Sequence, residues 1–575
     1  MTPPRPANSY AFRFTVDALL ILLAAKAGFG LAGAFGDRLL TNLASYFQDA
    51  ALILLCAILL ALAERFAAAP LRPFLRALYL VCVSLLTAMS LAYTPLIPDI
   101  LREPVNIFSL DFSIITFSAG VFFSPLLLVS AIAFLALLYG VPAFFPTRLR
   151  PSSPVVAAAC AVHALLFLVS LARPAVSPLM YSLLDEGASI GRRIHNGYGI
   201  GKLRPSPEAA EGADYSFLFR QPREATPASP RYRRVVVLVM ESVDYDAFMV
   251  HFNRPDSVFL KKVRDHSILC SNYHCLNLES YTGLMTMLNG VFIPYRAYGD
   301  DSPFRFVNGL DNLVRELKGD GFGAWFVSSY GAWQARFVPD APDWDGILLK
   351  DPEKNGGFVS VDTNGIERAT EDLAVLEDVV NLCRSPDRRF IFQEMVAGHA
   401  AVWTEKTGIE PLVYYDRYFT KLYNRLDQEG LLQGTLMIIT SDHGPRSGPA
   451  DPASYHLPLL LVAPDLAPGT EPGFLSHLDF ADLVKARLDG SGPARQAERI
   501  FSVGCTVDYI YGTLGGDGSY AFIDDHSFRV RTNLAPERVR AFQREFEGYL
   551  SFFDAQRRVA ASRPAADRAV HVVIK

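Results

Sequence analysis

The sequence predicts two structural parts: an N-terminal α-helical transmembrane bundle of about five spans, and a C-terminal α/β domain with a mostly parallel central sheet. Three observations predict this. Long apolar runs crowd the first third of the chain and stop near Arg173. From Arg234 onward, short β-branched runs alternate with helical patterns. Charged and imidazole side chains then fall directly after two of those runs, at Glu241 and at Asp442-His443. The organisation that follows is 1–173 as a transmembrane domain, 174–233 as a juxtamembrane helix and linker, and 234–575 as an extracytoplasmic catalytic domain.

Five apolar segments define the bundle: Ala18 to Phe35, Ala50 to Leu62, Phe74 to Leu96, Ile114 to Phe145, and Pro154 to Leu171. The second spans a bilayer only with its flanks included, and the fourth is long enough to tilt or to break near Pro125. Arg5, Arg13, Arg65, Arg72, Arg76, Arg148 and Arg150 flank alternate ends of these spans. The opposite ends carry Arg38 and Arg102 beside Asp37, Asp99 and Glu103. By the positive-inside rule the N-terminus is cytoplasmic, so an odd number of spans delivers the C-terminal domain outside. That arrangement predicts a multi-pass protein of a bacterial inner membrane. Lys26 and His163 lie within spans, where the expected behaviour is snorkelling and a bond to a neighbouring helix, the alternative being contact with a lipid headgroup or a partner. Met180 to Ile194 reads as an amphipathic surface helix, and Pro205 to Pro230 reads as linker.

Composition removes other classes. The net charge of -5 is small for 575 residues and no long Lys/Arg block is present, so nucleic acid is not an expected partner. The seven cysteines form no C-x-x-C pattern. Cys270 and Cys275 are near enough in sequence to bridge in an oxidising compartment, although proximity does not set geometry.

In the C-terminal part, Arg234 to Met240 is a nearly continuous aliphatic run, as expected for a central strand buried on both faces. Similar runs occur at Ala324 to Val327, Phe390 to Met395, Thr435 to Thr440 and Leu457 to Val462. Between them Tyr415, Phe419, Leu422 and Leu426 repeat at helical spacing on one face. In such a fold the ligand site gathers beyond the carboxyl ends of the strands.

Glu241 follows the first run, and Asp442-His443-Gly444 follows the Thr435 to Thr440 run. Two carboxylates and an imidazole suit a divalent metal, zinc or manganese. Each pair alone is equally a helix cap or a turn; their joint placement at strand ends favours the metal. Glu279-Ser280-Tyr281-Thr282-Gly283 precedes an apolar helix, so a hydroxyl there sits where unpaired N–H groups favour an anion. Of the two hydroxyls, Thr282 is the expected nucleophile, because Gly283 beside it would let backbone approach a bound phosphate.

This set resembles the sulfatase-like alkaline phosphatase superfamily: Glu241, a Thr some forty residues on, Asp442-His443-Gly444, then His456-Leu457-Pro458. The apolar N-terminal region makes the architecture similar to its membrane phosphoethanolamine and phosphoglycerol transferases, including lipoteichoic acid synthases. The resemblance implies metal ligation by Glu241, Thr282, Asp442 and His443, with Thr282 as nucleophile. It implies that His399 and His456 serve phosphate, leaving group or a second metal, and that His477-Leu478-Asp479 is structural. It further implies transfer of a phospholipid headgroup through a phospho-threonine intermediate to an envelope glycan or lipid acceptor. Hydrolysis through the same intermediate, or an inactive scaffold, are the alternatives. The sequence departs from the family in having no C-x-P-S-R motif for a formylglycine nucleophile, which counts against sulfate esters.

Overall fold

The computed structural model describes residues 198–220, 230–294, 310–330, 338–339, 341–350, 358–362, 365–369, 371–398, 409–446, 448–490, 498–505, 509–525, 527–561 and 572–574. Before residue 198 it describes 19, 37–66, 68–75, 78–79 and 83. The chain divides into two compact units, Met1–Gly191 with Val361–Gly365, and Arg192–Ser360 with Ile366–Lys575.

In the first unit, a helix runs over Asp37–Phe66 and covers the apolar segment 50–62. Tyr46, Ala50 and Ile53 are buried, with Tyr79 and Val83, while Leu55, Ile58, Leu59 and Leu62 stand exposed. Among the described residues, no helix is long and apolar enough to cross a membrane. The expected spans at 114–145 and 154–171, the surface helix at 180–194, Lys26 and His163 lie outside the described residues, as does nearly all of 18–35 and most of 74–96.

The strands of the chain are β1 (Arg234–Met240), β2 (Ser267–His274), β3 (Phe322–Ser328), β4 (Gly346–Leu349), β5 (Phe358–Asp362), β6 (Gly365–Ala369), β7 (Arg388–Glu394) and β8 (Thr435–Ser441). They continue as β9 (His456–Val462), β10 (Gly469–Glu471), β11 (Leu475–Ser476), β12 (Arg499–Cys505), β13 (Tyr509–Gly515), β14 (Tyr520–Asp524), β15 (Val530–Thr532) and β16 (Val572–Ile574). A ten-stranded sheet runs β10-β2-β9-β8-β1-β7-β3-β4-β16, with β11 beside β2. β1 lies at its centre and pairs in parallel with both β7 and β8. The aliphatic run becomes a central strand because each of its residues is buried. Val235, Val237 and Val239 enter one core, and Val236, Leu238 and Met240 the other.

Helices cover both faces. Tyr415, Phe419, Leu422 and Leu426 of the helix Pro411–Gln428 are buried in the second core, as their spacing predicts. The helices Ser280–Asn289 and Phe480–Asp489 pack into the first core. β9 runs antiparallel to β8 and β2, so the sheet is mixed at this side. A separate antiparallel sheet, β12-β13-β14-β15, packs its aromatic residues against the helix Pro536–Ala561.

One expectation is corrected and one open question is answered. Part of the segment read as linker belongs to the second unit's core: Ile200, Tyr215 and Leu218 are buried there, and Ser206 N–H donates to the Glu547 carbonyl at 3.0 Å. Its Pro- and Ala-rich composition conceals these tertiary anchors. Cys270 and Cys275 are both free thiols, each fully buried in the first core, so no bridge joins them.

Candidate active site

β1 and β8 are neighbours in register, and their ends bring Glu241-Ser242 and Asp442-His443 side by side. Backbone fixes the junction: Asp442 N–H donates to the Met240 carbonyl at 3.1 Å, and Ser242 N–H to Asp442 Oδ1 at 3.0 Å. Ser242 holds φ of +57°, a left-handed conformation that a non-glycine residue adopts at a cost. That turn directs its hydroxyl onto Glu241 Oε1 at 2.6 Å.

Glu241, Asp442 and His443 are all buried, and their ligand atoms lie within 4.8 Å of one another. His443 Nδ1 stands 2.7 Å from the Gly444 carbonyl, which places the ring proton there and leaves the Nε2 lone pair turned inward. Nε2 is 3.5 Å from both Glu241 Oε1 and Asp442 Oδ2. Burial raises the Asp442 carboxyl above its usual range, partly opposed by the bonds from Ser242 and Ser280. Two buried carboxylates facing one imidazole are electrostatically costly without a cation between them. The donor set therefore fits a divalent metal of the zinc or manganese kind.

A second hydroxyl at this cluster, beside that of Ser242, is Ser280. Its Oγ donates to Glu241 Oε2 at 3.1 Å and lies 3.3 Å from His443 Nε2. Arg446 adds a guanidinium, with Nη2 3.1 Å from His443 Nε2 and 3.4 Å from Ser280 Oγ. Thr282, expected from sequence to be ligand and nucleophile, instead turns its hydroxyl to Glu279, meeting the carbonyl at 3.2 Å and Oε2 at 3.3 Å. The physical reason is helical phase: residues two apart point about 200° apart around the axis, so one of the two faces the cluster. Gly283 serves backbone packing, since a Cβ on it would come within 2.8 Å of the Asp442 carbonyl oxygen.

His399 lies outside the described residues. His456 begins β9, with Nε2 2.9 Å from the Ser271 carbonyl and its ring stacked on Tyr245 at 4.3 Å and on His274 at 5.1 Å. Burial lowers its pKa. Among the described residues, the metal-capable group is Glu241, Asp442 and His443, without His456. His477 sits in a short capped turn, fully buried, with Nε2 3.4 Å from the Ser441 carbonyl.

Sequence reasoning passed over Ser242, Arg446 and Tyr415. The Tyr415 hydroxyl accepts the N–H of Glu241 at 3.1 Å and of Gly398 at 2.8 Å. Arg446 could have been found, being three residues beyond His443 in the loop that leaves β8.

Residues 409–487 match the family model described as Sulfatase, a segment that holds Asp442, His443 and His456. Comparison with curated proteins finds no match. Among solved structures, the chain is similar to an alkaline phosphatase superfamily protein from Vibrio parahaemolyticus, at 16% identity and a TM-score of 0.46, over 62% of this chain and 96% of that one. It is similar to the lipoteichoic acid synthase LtaP from Listeria monocytogenes at 10% identity and 0.40, over 61% and 98%. The C-terminal periplasmic domain of EcEptC from Escherichia coli aligns at 13% identity and 0.33, over 47% and 85%. With TM-scores below 0.5, these likenesses do not decide the activity.

Proposed function

We propose that the chain is a metal-dependent phosphotransferase of an inner membrane, moving a phospholipid headgroup through a covalent adduct on Ser280 to an envelope glycan or lipid hydroxyl. The observation that carries this reading is the Ser280 hydroxyl, 3.1 Å from Glu241 and 3.3 Å from His443, at the first turn of the helix Ser280–Asn289. Glu241, Asp442 and His443 would hold the zinc or manganese ion, which supplies Lewis-acid polarisation of the phosphoryl oxygens.

The chain's own residues do the rest. Glu241 Oε2 accepts the Ser280 hydroxyl proton in a hydrogen bond and so raises the nucleophilicity of Oγ. The positive end of the helix dipole at Ser280–Asn289 and the Arg446 guanidinium favour the negative charge of a phosphate arriving there. In the first half-reaction Ser280 Oγ bonds to phosphorus as the bond from phosphorus to the glyceride oxygen breaks, and the serine proton ends on that oxygen. In the second, the acceptor hydroxyl bonds to phosphorus, the Ser280–phosphorus bond breaks, and the acceptor's proton returns to serine. His456 would relay a proton: with Nε2–H on the Ser271 carbonyl, the lone pair of its ring lies on Nδ1, and burial lowers its pKa.

The membrane part of the reading is supported by the apolar segments of the first third, their arginine distribution, and the exposed Leu55, Ile58, Leu59 and Leu62 of the helix Asp37–Phe66. The test is mass spectrometry of the peptide bearing Ser280 and Thr282 after incubation with phospholipid. A headgroup mass on Ser280, absent from Ser280→Ala and retained in Thr282→Ala, is expected. An adduct on Thr282, or none in a chain that turns over phospholipid, overturns the reading.

A further inference from the structure

We propose that Asp372 is a positioning residue for Glu241, acting through the 396–398 backbone and the Tyr415 hydroxyl rather than by touching the cluster. The inference rests on the metal reading above and deepens it.

Asp372 opens the short helix Asp372–Val375 and is fully buried. Its carboxylate accepts the Val396 N–H at 3.0 Å on one oxygen and 3.2 Å on the other, and the Ala397 N–H at 3.2 Å. The Ser329 hydroxyl donates to it as well. These amides belong to the stretch just past the end of β7, where the sheet ladder no longer takes them. One buried carboxylate therefore holds a loop that would otherwise carry orphaned donors.

The next residue is Gly398, and its backbone presses on Glu241: a Cβ at Gly398 would fall 1.6 Å from the Glu241 carbonyl oxygen. The Tyr415 oxygen then takes the N–H groups of both Gly398 and Glu241. Met395 N–H on the Val239 carbonyl, at 2.9 Å, ties the start of the same stretch to β1. Each link from Asp372 to Glu241 is thus a hydrogen bond from a backbone N–H or a van der Waals contact without slack. A carboxylate at position 372 sets where the Glu241 main chain sits, and hence where its side chain reaches Ser280 and His443.

An amide at this position keeps the volume and one acceptor oxygen but replaces the other by an NH2 donor, so the Val396, Ala397 and Ser329 donors can no longer all be accepted. The experiment measures zinc affinity of the purified full chain by competition against a chromophoric chelator, alongside melting temperature. Asp372→Asn and Tyr415→Phe should each weaken zinc binding by about tenfold or more, as removal of groups that orient ligands does. Asp416→Asn is the control: Asp416, next to Tyr415 in the same helix, is a buried carboxylate that takes the Val258 and Phe259 N–H groups at 3.1 and 2.8 Å and none of the 396–398 amides. It should lower the melting temperature and leave zinc affinity alone. A wild-type chain that takes up no zinc overturns the metal reading and this inference with it. A wild-type chain that binds zinc, with both Asp372→Asn and Tyr415→Phe binding as tightly, overturns the inference alone. Equal weakening in Asp416→Asn also overturns it, because ordinary destabilisation then explains the effect.

Discussion

Two regions of the second unit are built on opposite physics. Beneath the antiparallel sheet, Phe501 and Tyr511 meet Phe542, Phe546 and Tyr549 of the helix Pro536–Ala561, with ring centroids 5.0 to 6.2 Å apart in the contacts across the interface. That contact is apolar burial and lowers the free energy of the fold. At the ends of β1 and β8, by contrast, two carboxylates are buried together beside a residue with positive φ. That arrangement costs stability and is held in place by its surroundings. Substitutions in the first region should therefore cost stability, and those in the second should cost activity.

The largest expected effect lies in the second region. Asp442→Ala should abolish bound metal and lower turnover by about a thousandfold, the loss of several kcal/mol of transition-state stabilisation. Metal analysis and a melting curve check it together; unchanged metal content would break the comparison. Phe546→Ala should do the converse. It is fully buried and should cost about 3–5 kcal/mol of stability. Zinc affinity measured below its melting temperature should match wild type.

A third prediction concerns pH. Burial, with the neighbouring His456, holds His274 down to about 3, so its neutral ring stabilises the fold fully above pH 6.5 and progressively less as pH falls toward 3. Asp372 runs the other way, since burial raises it to about 7 and stability falls as pH climbs from about 4 through 7. Denaturant titrations at stepped pH should therefore show His274→Gln less sensitive to acid than wild type. Equal acid sensitivity would count against a buried neutral His274. The smallest effect is expected at Ser242, where glycine relieves the positive φ. Ser242→Gly should raise stability by at most about 1 kcal/mol, and zinc affinity should fall as the hydroxyl contact to Glu241 is lost. A variant that is both less stable and tighter for zinc would reverse the reading of that turn.

Much of the fold was legible because it rests on local pattern. The run Arg234 to Met240 has one good solution, a central strand, and Glu241 and Asp442-His443 inherit their convergence from its pairing with β8. Choosing between Ser280 and Thr282 was not local. It depends on the rotation of one helical turn, set by Glu279 on one side and Glu241 on the other. The antiparallel course of β9 and the docking of 198–220 escaped for a similar reason, since both are fixed by partners far along the chain. Asp372 gave no signal at all, because its role exists only once residues 329, 396 and 397 have been brought around it.

Cys275 offers a use of its own. Its thiol is fully buried, its N–H is held by the Tyr455 carbonyl at 2.9 Å, and burial pushes its pKa far above that of a free thiol. An alkylating reagent reacts with thiolate that it can reach, so the folded chain presents this sulfur as inert. The loop that follows Asp442-His443 lies close by, through Gly444 and Tyr455. The rate at which Cys275 is labelled in the native protein is therefore a clock on how often the floor of the site opens to solvent, read without introducing any probe into the chain.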